Sequence, residues 1–270
     1  MRKILTLLLT AMLLISSLVI AVDLSSSPNN SNLESITTAN KLFQAGNYVQ
    51  AIGIYEQLID QGLSDSAVYF NLGNAYYQEG DMGRAMLNYK RANQLDPRDA
   101  DIKRNLKFVE SSTAASEDFQ PAASGPVQGM ANLTQSWLTI NESAIFTLTL
   151  WFLFFFLFMV YRMLKQGRFR TSIGYLALLV MFIFAFIGIS LGSRIIVEKT
   201  QPDAIVVASE ITLNSEPKMD STTEFNLKNG ARIKLLDTQG EWIKLSTAGN
   251  TIQGWVPASS IEMVAIDSSI

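Results

Sequence analysis

The sequence predicts a multidomain membrane protein in three parts: an α-helical repeat module, a two-helix transmembrane hairpin and a small all-β barrel. Three observations carry that prediction. Over the first third of the chain, apolar residues recur with a helical period in copies about 34 residues apart. Two apolar runs come next, Ser143 to Tyr161 and Thr171 to Ser193, neither holding a side chain charged at neutral pH. Each approaches the roughly 20 residues that a helix needs to span hydrocarbon. Beyond Asp203 the pattern changes to short β-prone runs separated by turn signals.

Composition narrows the function classes. With 21 Lys and Arg against 24 Asp and Glu, the chain is slightly acidic and forms no broad basic patch, so nucleic acid is excluded as a partner class. The chain contains neither Cys nor His. Disulfides, thiol chemistry, zinc sites built on those residues and nucleophile–His pairs are therefore absent. So is the side chain best suited to proton transfer near neutral pH. No catalytic motif is read in either soluble module, and the expectation is a non-enzyme without metal or cofactor.

Met1-Arg2-Lys3 and then the apolar run Ile4 to Val22 read as a signal peptide or an uncleaved N-terminal anchor over residues 1–22. Either one exports the chain beyond Val22. No Cys stands near the end of the run, so a lipid anchor on Cys is ruled out.

Residues 32–111 hold the repeats. In the clearest copy, from Ser66 to Asp99, the landmarks are Tyr69, Leu72-Gly73, Tyr76, Gly80, Ala85, Tyr89, Ala92 and Pro97. One period earlier Ala39, Leu42, Gly46, Ala51 and Tyr55 remain, while Ser35 replaces the aromatic and Leu63 the proline. The pattern resembles the tetratricopeptide repeat, a pair of helices crossing closely. Gly73 and Ala85 lack bulk where the helices cross, and Tyr76 and Tyr89 fill the space beside them. Asp81 is placed to cap the second helix, and Pro97 ends it. Asp99 to Glu110 reads as a closing helix with a solvated outer face. Partner-binding candidates are residues offset from the packing stripe on the first helix of each pair: Ile36, Asn40 and Phe43, then Phe70, Asn74 and Tyr77. Asn40 and Asn74 stand one repeat apart, where their amides would meet a peptide backbone. Phe70 and Tyr77 are aromatics of the kind enriched in binding hot spots.

Residues 112–140 are rich in Ser, Ala, Gly, Pro and Gln and read as a flexible tether. The predicted spans are 143–163 and 172–193. The loop 164–171 and its border carry Arg162, Lys165, Arg168 and Arg170, and basic residues beside short loops mark the cytoplasmic side. The segments before and after the spans then share the opposite side. Neither span carries an internal charge, so no ion path is indicated.

The β module covers residues 201–265. Ala204 to Ala208, Ile233 to Leu236, Trp242 to Leu245 and Gly254 to Val256 are β-prone, with turns at Lys228-Asn229-Gly230 and Gln239-Gly240. Many short strands in so small a module predict a closed barrel. The run Gly240-Glu241-Trp242-Ile243-Lys244-Leu245 and the element Gly254-Trp255-Val256-Pro257 resemble bacterial SH3-type domains. Leu213-Asn214 stands where that family often shows Val-Arg, so the Arg contact is not carried over. Trp242 and Trp255 are the groove candidates, and by analogy of fold peptidoglycan is a candidate ligand.

Taken together, the order of modules is similar to the BatE-type proteins of bacterial aerotolerance operons. The resemblance implies a non-catalytic scaffold of the inner membrane, with both soluble modules facing the periplasm or cell exterior. It also implies membrane partners carrying von Willebrand A domains and a MoxR-type ATPase on the cytoplasmic side. The alternative is an envelope anchor or sensor whose SH3-like module grips peptidoglycan. On either reading membrane lipid surrounds the spans.

Overall fold

The computed structural model describes residues 30–113, 126–200, 202–218, 221–247 and 252–266. The expected leader or anchor at 1–22 lies outside the described residues, as does the stretch 114–125 of the expected tether. The rest divides into two compact units, one of residues 138–193 and one joining the residues before 138 to those from 194 onward.

The helical array consists of α1 (Asn30–Gln44), α2 (Tyr48–Asp60), α3 (Ser66–Gln78), α4 (Met82–Leu95) and α5 (Ala100–Thr113). Its boundaries obey local chemistry. The Asp65 carboxylate accepts from the Ala67 and Val68 amides at the start of α3, and Asp81 accepts from the Arg84 amide at the start of α4. Gly80, at φ 84°, takes the left-handed turn between them. Asp96 is extended, φ −131°, as the neighbouring Pro97 demands. The close crossing expected at Gly73 is present: a Cβ built there would stand 2.8 Å from the Tyr89 ring and 3.3 Å from the Ala85 carbonyl oxygen. Ala39, Ala51, Tyr55, Val68 and Leu72 form one buried cluster, and Tyr69, Ala92 and Ile102 carry the core to α5.

Within the stretch that reads as a tether, α6 (Pro126–Gln135) is a helix. Composition predicts a flexible tether there. Pro126 instead stands at the first helical position, where its missing N–H is not needed, and Ala131 and Thr134, one turn apart, are both buried. The tether is therefore shorter than expected.

The β module contains β1 (Asp203–Val206), β2 (Glu210–Asn214), β3 (Thr222–Lys228), β4 (Arg232–Gln239), β5 (Trp242–Thr247), β6 (Gln253–Pro257) and β7 (Ile261–Met263). They form one antiparallel sheet in the order β3-β2-β6-β5-β4-β1-β7. No ladder among the described residues joins β3 to β7, so the sheet is open where a closed barrel was expected. Strand periodicity reports which face is buried; closure depends on pairing between the two edge strands, which periodicity does not encode. The core face carries Val206, Leu213, Ile233, Leu245 and Val256.

Array and sheet are docked. Ile205 and Val264 enter a buried cluster with Ala85, Met86, Leu87, Tyr89 and Val109, so the back of α4 is covered by β1 and the residues after β7. Burying Ile205 and Val264 stabilises the contact by about 1.5–3 kcal/mol each. At the rim, Asn229 of the β3–β4 turn accepts from the Gly83 amide and donates to Asp81 (3.3 Å) and to the Val207 carbonyl oxygen (2.9 Å). A distant turn thus satisfies one of the free amides at the α4 N-terminus. Arg84 pairs with Glu262 at 3.2 Å. Lys90 and Arg232 share Glu110 at 3.1 and 3.4 Å. At Gly83 a Cβ would lie 2.6 Å from the Val206 carbonyl oxygen, so only glycine admits this approach.

The other unit holds α7 (Ile140–Met163) and, as far as Ser193, α8 (Arg168–Thr200), both helices long and apolar enough to cross a membrane. Thr139 and Glu142 cap α7 reciprocally, at 3.1 and 2.9 Å. Leu157, Ala177 and Val180 pack between the helices with Phe154 and Ile173. Trp151, Phe155 and Phe158 point outward and are exposed, which suits a lipid-facing surface. The link between the helices is shorter than the expected loop. Residues 164–167 alone lie outside helix, and Arg168 and Arg170 sit in the first turn of α8. A Cβ at Gly188 would touch Thr147 at 3.8 Å, whereas Gly192 faces open space.

Candidate binding cleft of the helical array

On the concave side of the array, α1, α3 and α5 line a cleft of about 280 Å³. Its walls carry Phe43, Tyr77 and Phe108, and its floor carries Asn74, Asn105 and Tyr89. Phe108 is 53% exposed, and its ring meets Tyr77 edge-on at 5.8 Å. Phe43 and Tyr77 are half-buried, Phe43 against Tyr48 at 5.3 Å.

The asparagines are organised as struts. Asn40 Oδ1 accepts from the Tyr55 hydroxyl at 2.6 Å and from Asn71 Nδ2 at 3.1 Å. One repeat later Asn74 Oδ1 accepts from the Tyr89 hydroxyl at 2.7 Å and from Asn105 Nδ2 at 2.9 Å. Each unit ties the first helix of one repeat to its own second helix and to the first helix of the next. Burial pushes the Tyr55 and Tyr89 hydroxyls up to about 12, which keeps them protonated as donors. The Asn40 and Asn74 side-chain oxygens are therefore occupied by the fold.

Of the six candidates from the sequence, Phe43, Asn74 and Tyr77 come together in the cleft. Asn40 belongs to the neighbouring strut. Ile36 packs against the first core cluster, and Phe70 packs against Tyr89 at 5.8 Å between ring centroids. Phe108 and Asn105 are not among the candidates, because the closing helix reads only as a solvated cap. The repeat period does find them: Asn71 and Asn105 stand one period apart, as do Asn74 and Phe108.

In the sheet, Trp255 lies opposite both Lys244 and Asn214, and Trp242 opposite Pro257. Both tryptophans are half-buried on the face away from Leu245 and Val256. Asn214 beside them is 5% exposed, and its Oδ1 lacks a hydrogen-bond partner among the described residues.

One spacing needs correction. Ser215-Glu216-Pro217-Lys218 has the Ser-x-x-Lys form of Ser–Lys hydrolases, contrary to the expectation of no catalytic motif in the β module. The Ser215 hydroxyl donates to the Ser221 carbonyl oxygen, and Lys218 is ion-paired with the exposed Glu216. The lysine is thus turned to a carboxylate instead of the hydroxyl.

A tetratricopeptide repeat family model matches residues 66–99, the α3–α4 pair and its exit. No curated protein matches the chain. The matched repeat contributes Asn74, Tyr77 and Tyr89 to the cleft, and such repeats mediate contacts between proteins.

Proposed function

We propose that this chain is a non-catalytic adaptor of the bacterial inner membrane that holds a protein partner in the concave cleft of its array. The observation that carries this reading is the cleft lining, in which exposed Phe108 and half-buried Phe43 and Tyr77 surround the Asn74 and Asn105 amides. Rigid aromatics flanked by polar groups suit an extended segment with one apolar anchor. In this reading α7 and α8 cross the membrane as a hairpin. The docked interface supports that topology, because segments before and after the two helices pack directly on each other and must share a compartment. The basic residues Arg162, Lys165, Arg168 and Arg170 support a cytoplasmic turn, with array and sheet on the outer side. Module order further supports a Bat-type complex with partners carrying von Willebrand A domains.

The test is co-purification from native membranes in mild detergent, with partners identified by mass spectrometry. The double change Tyr77→Ala, Phe108→Ala should lose the partner while circular dichroism stays normal. Undiminished recovery would move the site elsewhere. A second reading, an envelope anchor whose SH3-like sheet grips peptidoglycan, rests on the outward pair Trp242 and Trp255 beside the unpartnered Asn214 oxygen. Retention on purified sacculi that is lost with Trp255→Ala would favour it.

A further inference from the structure

In a repeat stack each helix pair is covered by the next, and a terminal unit has a neighbour on one side alone. Among the described residues the array ends on α5, and the repeat pattern gives out with it. The strut tyrosines Tyr55 and Tyr89 stand one period apart, and one period further the residue is Ala123. The acceptor series Asn40, Asn74 likewise continues as Phe108. Yet the core side of α5 is closed, with Ile102 3% exposed and Val109 1%.

The sheet supplies the missing neighbour. Val109 shares one buried cluster with Ile205 of β1 and with Val264 after β7. The next residue, Glu110, pairs with Arg232 of β4 at 3.4 Å and with Lys90 of α4 at 3.1 Å. Thr113, one turn beyond Val109, lies against the β3–β4 turn. A Cβ built on Gly230 there would stand 2.7 Å from the Thr113 Cγ2. Gly230 has φ 83°, so glycine serves both the turn and the close approach. On the convex side the same module grips α4. Arg91 Nη2 donates to the Met263 carbonyl oxygen at 2.8 Å, and Ala265 and Ile266 help line a cleft of about 430 Å³ with residues of α2, α3 and α4.

The same turns of α5 build the concave cleft. Asn105, Phe108 and Val109 line it, and Asn105 Nδ2 donates to Asn74 Oδ1 of α3 at 2.9 Å. This wall of the cleft is therefore held from behind by another module. We propose that the sheet takes the place of a further repeat and positions α5, so that docking of the sheet sets the width of the concave cleft. Arg232 and Gly230 are positioning residues for a cleft that neither of them lines. What the cleft holds rests on the adaptor reading, whereas its width can be measured without a partner. Undocking leaves α5 with a neighbour on one side, which makes it the least stable helix of the array. By linkage, whatever closes the cleft also favours docking.

The test measures distances between nitroxide labels by electron paramagnetic resonance, on the full chain in lipid nanodiscs. Gln44, Gln78 and Ser112 are exposed and stand one period apart on α1, α3 and α5. Because the chain lacks Cys, Gln44→Cys paired with Gln78→Cys or with Ser112→Cys gives two label sites and no others. In the otherwise unaltered chain the 44–112 distance should be narrowly distributed. Arg232→Glu sets like charge against Glu110, and Gly83→Val pushes a side chain into the Val206 carbonyl oxygen. Singly and together, they should broaden the 44–112 distribution by about twofold or more. The 44–78 distance should hold in the same variants. Glu241→Lys, an exposed change in the β4–β5 turn, should alter neither distance. A 44–112 distance unaltered in the combined variant would overturn the proposal. Equal broadening of both distances would overturn it too, since the sheet would then brace the whole array instead of α5.

Discussion

The concave and convex faces of the array treat buried amides in opposite ways. On the concave side the two central strut oxygens are satisfied, that of Asn40 by Tyr55 and Asn71, that of Asn74 by Tyr89 and Asn105. On the convex side the Asn88 oxygen and the Arg91 Nε are buried without a hydrogen-bond partner among the described residues. The strut asparagines recur with the repeat, whereas the position one period before Asn88 is Ile54. Periodic polar residues are thus scaffolding, and Asn88 stands outside that period. The concave cleft is lined by aromatic rings, the convex one by charged side chains such as Glu56, Asp60 and Arg84.

The largest expected effect breaks both faces at once. Gly73→Leu forces bulk into the ring of Tyr89, an α4 residue whose hydroxyl carries the Asn74 strut and whose helix also holds Asn88 and Arg91. Overpacking here should cost about 1–3 kcal/mol or more and lower the thermal midpoint of the purified protein. An unchanged midpoint would refute the close crossing.

Next in size is undocking. Gly83→Val drives a side chain into the Val206 carbonyl oxygen and Asn229. It should expose the back of α4 to rapid hydrogen exchange while α1 and α2 stay protected. Because the chain lacks Cys, the pair Asp81→Cys, Asn229→Cys offers a complementary check in native membranes. Oxidation should produce one intramolecular cross-link, and Gly83→Val in the same background should suppress it.

Alkaline titration separates the faces more gently. The Tyr55 and Tyr89 hydroxyls lie near 12 when folded, above the ordinary value of 10. The stability they contribute is fully present below pH 10 and is lost as pH rises from 10 through 12. Melting temperature should fall over that window, and Tyr89→Phe should flatten the fall. A fall of equal steepness in the phenylalanine variant would detach the strut from stability. The smallest effect belongs to Asn74→Ala, which leaves Tyr89 and Asn105 access to water in the open cleft; about 0.5–1.5 kcal/mol is expected from chemical denaturation.

Much of the array was legible because its determinants are local and repeated. Leu72, Gly73, Ala85 and Tyr89 declare one close crossing, and Asp81 and Pro97 declare its ends. The site was less legible. Phe70 and Tyr77 are both aromatics off the packing stripe, yet Phe70 turns onto Tyr89 and only Tyr77 lines the cleft. A helical wheel assigns a face and leaves open which neighbour fills it. The docking of the sheet was not legible at all. Met86 and Leu87 add apolar surface to the back of α4, but their cover, Ile205 and Val264, lies more than a hundred residues away. Lys228-Asn229-Gly230 reads correctly as a turn, while the contact of Asn229 with Gly83 depends on tertiary placement.

The adaptor reading is tested most directly by photocrosslinking in living cells from a photoreactive residue at position 108, in the concave cleft. A control at Gln57, exposed on α2, serves for comparison. The account predicts one dominant adduct with a membrane protein from position 108, removed by Tyr77→Ala, and none from position 57. Equal adducts from both positions, or adducts from 108 indifferent to Tyr77→Ala, would contradict it.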